Sequence, residues 1–509
     1  MLPLVAACGG GPEVASDYLL SIVPRVLDGQ DPFEGAPTVK LWIQEQGKSA
    51  EVIFAGTASQ GVELGEQPPI PAGAVVGLII EEGGASGAEW DPGRLTAWGS
   101  TVLGAELALG GADEQVSITV PLSGAVGDIG RLSASRAVIH GAAAMIPGGD
   151  VLVFGGTSDH LAAGNETNRI LRLRDSDDGS WELEVLGVKL PSASAGLTAT
   201  AVARDGQVRI VVASGCTERT TDRFITDTCT QWVGVFDPAS ETWVVDKARA
   251  LTDPLGDHRA VAFNNGRVLL VGRFTALIDE YAPYSLYDAF DERVVADGTL
   301  DGIGSLGPMV AARGNDGALV CGGAVLTNVA AGTPVAPQTA CYRIDLQGTT
   351  FPAAPLPDPT AYGAMVGLEG GKVLLTGGIV GDLNDDEVGP ASAAVWRFTG
   401  SQWEQAGDLR SARAFHRMLP MHDGGALVVG GVSENGLWTY RAGDSVDCVE
   451  RYDPGTSQFT KEGCTAAGAG AMPQASWWPG DGAFVLEGYD ADGRGGGSYG
   501  LVGMGPPTE

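Results

Sequence analysis

Positive charge is scarce in this chain: 31 Lys and Arg stand against 63 Asp and Glu, a formal net charge of −32. That balance excludes nucleic acid and anionic lipid headgroups as partners, because both need a basic surface. The acidity reads as solubility of an exported protein, with recruitment of Ca2+ or cationic ligands as the alternative. Histidine is rarer still, with five residues: His140, His160, His258, His416 and His422. No H-E-x-x-H, phosphate loop or C-x-x-C zinc pattern occurs. No stretch approaches the roughly 18 apolar residues that a membrane-spanning helix needs.

Glycine is plentiful, at 77 residues, and much of it is periodic. Seven apolar runs each end in a turn: Val151–Gly156, Ile210–Gly215, Val268–Arg273, Ala318–Gly323, Val373–Gly378, Ala426–Gly431 and Ala483–Gly488. Recurrence at roughly 50 to 60 residues predicts an all-β chain built as a β-propeller, one blade per repeat. The unit is plainest after Arg413. It reads as a strand, a turn, a strand ending in double glycine, a polar loop, a third strand, the turn Asp453-Pro454-Gly455-Thr456, and a fourth strand. Proline presets φ for that turn. Glycine at strand ends marks places where another backbone crowds the chain, here the packing of blades around an axis.

The apolar run with Gly-Gly resembles the kelch repeat. So do the aromatics of the third strand (Phe236, Tyr287, Tyr342, Trp396, Tyr452) and of the fourth (Trp181, Trp243, Phe351, Trp403, Phe459). The resemblance covers about residues 130 to 505 and implies a seven-bladed kelch-like propeller over residues 125–509. Too little chain follows Gly488 for two more strands. The N-terminal segment Val126–Leu132 is therefore expected to complete the last blade, with Val116–Pro121 as the second choice.

Residues 15–124 alternate without the repeat. Strands are expected at Tyr18–Val23, Val39–Gln44, Glu51–Ala55, Ala74–Glu82, Leu95–Val102 and Gln115–Val120, forming a small β-sandwich of immunoglobulin-like or transthyretin-like type. Residues 1–14 hold Leu4-Val5-Ala6-Ala7-Cys8-Gly9, which resembles the lipobox of bacterial lipoproteins. The resemblance implies lipidation at Cys8, a glycine-rich tether, and a place in the cell envelope, on the outer membrane or surface of a Gram-negative bacterium. Membrane contact would be through that anchor alone. The other six cysteines fall two by two within units, as Cys216 and Cys229, Cys321 and Cys341, Cys448 and Cys464. They read as three intrablade disulfides of an oxidising compartment.

Chemistry is harder to locate. Arg136, His140, His258, Arg259, Arg413 and His416 stand at the starts of first strands, where register would aim some of them at one channel mouth as a ligand-binding cationic cluster. The plainer reading is that they hydrogen-bond neighbouring blades. Asp382, Asn384 and Asp386 alternate as in a calcium loop, with Asp385 and Glu387 beside them, but Glu387 stands where the turn glycine belongs. A solvated acidic loop is the first reading there and a structural Ca2+ the second. Ser176–Trp181 lacks the spacing of a sialidase box. Gly496-Gly497-Ser498-Tyr499-Gly500 lacks the strand-then-helix setting of a nucleophile elbow. A galactose-oxidase-like copper centre, which kelch-type repeats can carry, would need paired His and Tyr ligands with one Tyr crosslinked to Cys, and no such set stands out.

The expectation is thus a non-enzymatic envelope lipoprotein that binds a protein or glycan, with no catalytic cofactor. The alternative is an exported carbohydrate-active enzyme, galactose-oxidase-like or glycosidase, with its site at the channel mouth.

Overall fold

The computed structural model describes residues 139–464 with interruptions, strands between residues 20 and 131, and three strands between 474 and 502. Its described regular elements are strands and two short 3-10 turns, so the chain is all-β. Before residue 125 lie two sheets. One joins β2 (Thr38–Gln44), β3 (Glu51–Thr57), β5 (Val75–Glu81) and β6 (Leu95–Val102) in the order β3-β2-β5-β6. The other has β1 (Leu20–Arg25) between β4 (Val62–Leu64) and β7 (Glu114–Thr119), with β1 and β7 parallel. Val39, Leu41, Val76, Leu78 and Ile80 are buried in the first of these. Alternation foretold six of the strands; β4 is too short to carry a period. Val116–Pro121, the second candidate for completing the last unit, belongs to β7 instead.

After residue 125, seven four-stranded antiparallel sheets follow one another, each open and none closing on itself. Their first strands are Ala142–Met145, Thr198–Arg204, Arg259–Ala262, Met309–Ala312, Ala364–Gly367, Arg417–Pro420 and Gln474–Trp478. Each first strand touches that of the next unit, and Gln474–Trp478 touches Ala142–Met145, so the contacts return to their origin. The last sheet takes its fourth strand from the N-terminal side. β8 (Val126–Arg131) pairs antiparallel with Ser498–Val502, the pairing expected for that segment.

The double glycines join successive units. Gly155 and Gly156, and likewise Gly377 and Gly378, hold positive φ. The N–H groups of Gly156 and Gly378 donate to Ser194 O and Arg413 O of the following unit, at 2.7 and 2.9 Å. A Cβ on Gly377 would lie 2.3 Å from Arg413 O, so a side chain there would push two units apart. Unit two substitutes Ser214 at φ 58°, and its hydroxyl reaches Leu255 O at 2.7 Å.

Between units the filling is apolar, as in the group around Phe154, Leu197, Val212 and Phe236. Third- and fourth-strand aromatics meet in register: Phe236 with Trp243 at 5.2 Å between centroids and Tyr452 with Phe459 at 5.1 Å. Phe351 departs from this and is 44% exposed. The Asp-Pro turns work through their carboxylates: Asp453 Oδ1 accepts from Gly455 N at 2.8 Å, and Asp237 Oδ1 from Ala239 N at 2.9 Å. Disulfides link Cys216 to Cys229 and Cys321 to Cys341. Cys448 is also disulfide-bonded and stands opposite Cys464 in the register.

Candidate functional site

In six units the residue two places before the first strand takes a left-handed conformation: His140, Gly196, Asp257, Gly307, Tyr362 and Phe415, all with φ between 51° and 71°. The cause is local. The residue before the kink forms a β-bridge with the residue after the glycine turn, as Ile139 does with Thr157, Leu306 with Ala324 and Ala414 with Val432. The chain must then kink before it can run as a first strand. These kinked residues are tied from unit to unit. Gly196 N donates to His140 O and Asp257 N to Gly196 O, both at 2.7 Å; Tyr362 N donates to Gly307 O and Phe415 N to Tyr362 O, both at 2.9 Å. The first strands themselves run in a closed succession, and the belt stands at one end of it, with His140, Tyr362 and Phe415 buried.

Units two and four give the belt only backbone, and the space is used. A Cβ on Gly196 would meet Asp257 Oδ1 at 2.8 Å, and one on Gly307 would meet the Tyr362 ring at 2.6 Å. Asp257 thereby has room to face His140, with Oδ1 3.6 Å from Nδ1. A carboxylate against imidazole Nδ1 orients the ring and favours a proton on that nitrogen, the arrangement of a supported general base. Tyr362 stacks on Phe415 with centroids 4.3 Å apart and planes at 28°. Beneath the belt, Arg259 and Arg417 open the first strands of units three and six.

The six ligand-binding residues expected from sequence separate into different roles. Arg136 lies outside the described residues. His140 is in the belt. His258 and His416 are buried between units, each with Nε2 2.8 Å from a threonine hydroxyl, of Thr198 and Thr376 respectively. This is the plainer of the two sequence readings, with side chains rather than carbonyls as the partners. Arg413 does not reach the mouth at all: it is fully buried, with Nη1 donating to Gly430 O and Cys448 O and Nη2 donating to Glu450 Oε1 at 2.5 Å. Arg259 opens the first strand of unit three and is half-buried. Sequence reasoning missed Asp257, Tyr362 and Arg417. Asp-Pro four residues upstream of both Asp257 and Tyr362 was the available signal. Cys8 and the acidic loop with Asp382, Asn384, Asp385, Asp386 and Glu387 lie outside the described residues.

Burial pushes the His258 pKa down to about 3, against which nearby Asp257 only partly acts, and Arg259 adds to the depression. His416 is also pushed well down, by burial first and then by Arg413, Arg259 and Arg417. Both imidazoles are therefore neutral. As pH falls through about 6.5 the unfolded chain takes up a proton that folded His258 refuses until about 3, so stability is lost across that window. One such proton is worth about 1.4 kcal/mol per pH unit. His258→Gln, which keeps a partner for Thr198, should reduce the acid slope by close to one proton. Urea unfolding at pH 4, 5, 6 and 7 reads that slope directly, and an unchanged slope would place the acid sensitivity elsewhere.

The donor atoms for a metal are poorly assembled. Nδ1 of His258 and of His416 are buried without a hydrogen-bond partner. Yet three guanidinium charges act on His416, a field that opposes a cation. The aromatic stacked on Tyr362 is Phe415, which offers no oxygen. The described cysteines Cys216, Cys229, Cys321, Cys341 and Cys448 are all disulfide-bonded. Among the described residues no group of three or more His, Cys, Asp or Glu side chains is placed to hold a metal ion.

No family model and no curated protein matches the chain. Among solved structures the chain is similar to a fungal alcohol oxidase of the AA5 family in complex with copper, at a TM-score of 0.52 and 16% identity, over 74% of this chain and 76% of that one. At that identity the likeness is one of fold. It nevertheless overturns two expectations, that the chain is not an enzyme and that it has no cofactor beyond a structural Ca2+. A fold shared with a copper-bound oxidase removes the ground on which both rested, the lack of a recognisable catalytic motif. The described side chains do not fit the paired His and Tyr set with its Tyr–Cys crosslink, and their chemistry is therefore taken without a step through copper.

Proposed function

We propose that the seven sheets are the blades of one kelch-like β-propeller, and that the chain is an exported carbohydrate-active enzyme with its site at the belt mouth. The two sheets before residue 125 would form a small β-sandwich between the propeller and a lipid anchor at Cys8. The observation that carries the enzymatic reading is the approach of Asp257 to His140 within the belt, where Gly196 withholds a side chain that would crowd Asp257. His140, held by Asp257, would take a proton from a substrate hydroxyl. Tyr362 and Phe415, stacked on each other, belong to the buried apolar cluster that backs the belt.

Oxidation of a primary hydroxyl to an aldehyde, with dioxygen as the oxidant taking up the two electrons and two protons as hydrogen peroxide, fits this belt better than glycoside hydrolysis. Hydrolysis calls for two carboxyl groups flanking the bond, roughly 5 to 9.5 Å apart. Among the six described belt positions Asp257 is the one carboxylate. The experiment is a product screen on the purified full chain, as isolated and after copper loading, against neutral and acidic sugars. Peroxide release together with an aldehyde product is the expected result. Reducing sugar released from oligosaccharides without peroxide would favour hydrolysis, and no product of either kind from any substrate would defeat the proposal.

A further inference from the structure

The Cys216–Cys229 disulfide of unit two lies against the backbone of unit three, one residue before Asp257. A Cβ on Gly256 would stand 2.4 Å from Cys216 Sγ and 2.9 Å from Cys229 Sγ, so the two sulfurs occupy the space of a side chain at that position. The surrounding backbone is fixed from unit two. Cys216 bridges Ala195, the residue before Gly196 of the belt, and Thr230, next to Cys229, bridges Leu255. Leu255 N donates to Thr230 O at 3.0 Å. The Leu255 carbonyl accepts from Gly215 N at 3.0 Å and from the Ser214 hydroxyl at 2.7 Å. On the other side Asp257 N donates to Gly196 O at 2.7 Å. Between these two anchored residues Gly256 is buried and makes no hydrogen bond among the described residues. Its open side is filled by the sulfurs.

Resting on the reading of His140 and Asp257 as the proton-handling pair, we propose that the Cys216–Cys229 bond positions that pair. The sulfurs block movement of Gly256 and so hold the Asp257 carboxylate in place, with Oδ1 3.6 Å from His140 Nδ1. Cys216, Cys229 and Gly256 are positioning residues and touch no reacting group. Residue 256 is glycine because a side chain there would displace a sulfur. Cys216 follows the glycine turn of its unit, at the place that Thr157, Ala324 and Val432 take in units one, four and six. The Cys321–Cys341 bond of unit four has no such place, since it joins opposed residues of second and third strands within one sheet. A misplacement of about 1 Å in a reacting constellation can cost about 100-fold in rate, so loss of the unit-two bond should lower kcat by about that factor with KM little changed.

The test uses the full chain, isotope-labelled in its histidine rings, at about pH 8, where an ordinary imidazole is neutral. The ring nitrogen shifts of His140 show which nitrogen carries the proton, and His140→Gln identifies the signals. The unaltered protein should carry that proton on Nδ1, and Asp257→Asn gives the shifts of a ring without its carboxylate. The paired change Cys216→Ala and Cys229→Ala should move the His140 signals toward the Asp257→Asn values. The paired change Cys321→Ala and Cys341→Ala should leave them in place. Gly256→Ala, which keeps the bond but crowds it, should move them too, and it carries the test if the first pair of changes prevents folding. Unmoved His140 signals in the Cys216→Ala and Cys229→Ala protein, or in Gly256→Ala where that protein carries the test, would overturn the proposal. An equal movement on loss of the unit-four bond would overturn it as well. Because the ring is read without substrate, a chain that makes no product would defeat the enzymatic reading and leave this one standing. Full turnover with His140 unmoved by loss of the unit-two bond would do the reverse.

Discussion

Deleting the chain through Leu132 should destabilise everything that follows, whereas a chain beginning at Ser123 should melt like the full-length protein. The longer deletion removes β8, the strand that completes the last sheet by pairing with Ser498–Val502. Its loss leaves that strand with an unpaired edge and weakens the unit that bridges Gln474–Trp478 to Ala142–Met145. A strand of this length removes about 150 Å2 of apolar surface from water, which at ~25 cal/mol per Å2 is about 4 kcal/mol. Against typical domain stabilities of about 5–15 kcal/mol that is a large fraction. Urea unfolding of the two truncated chains separates the outcomes. Identical midpoints would mean that the succession of units is closed by something other than β8.

Arg413→Met should cost about 3–5 kcal/mol, the effect of leaving one partner of a buried ion pair without the other. Glu450 is fully buried and would keep only the N–H groups of Arg410 and Ser411, at 2.7 and 2.9 Å. The guanidinium also holds Gly430 O and Cys448 O, tying the strand end of the glycine turn to the third strand of the same unit. Adding Glu450→Gln to Arg413→Met should recover part of the loss, because the orphaned charge disappears. A double-variant cycle in which the two losses simply add would show the pair to be energetically independent.

Arg413 also marks the limit of what the sequence discloses. Its place at the start of a repeat was legible, but the direction of its side chain depends on Glu450, 37 residues further on. The repeats themselves were visible because each needs the same apolar strand and the same crowded turn. The role of Val126–Arg131 was visible because strand pairing leaves a remainder that something must fill. The belt was not visible, for a physical reason. His140, Gly196, Asp257, Gly307, Tyr362 and Phe415 share a backbone conformation and no side-chain chemistry. A pattern of residue types cannot register a shared φ, except through the two glycines, which look like any others in a chain with 77 of them. Asp257 in particular is one carboxylate among 63 acidic residues until the belt sets it against His140.

The site at the mouth stands or falls on Asp257. Asp257→Asn preserves shape against Gly196 and removes the charge that faces His140 and offsets Arg259 and Arg417, so its melting temperature is measured beside its rate. Loss of a supported general base costs about 10²–10⁴ in rate. The measurement is kcat/KM of the Asp257→Asn protein on the best substrate from the product screen, beside the unaltered chain. A fall of about 100-fold or more with the fold intact is the expected result. An Asp257→Asn protein that turns over at the full rate would contradict the account.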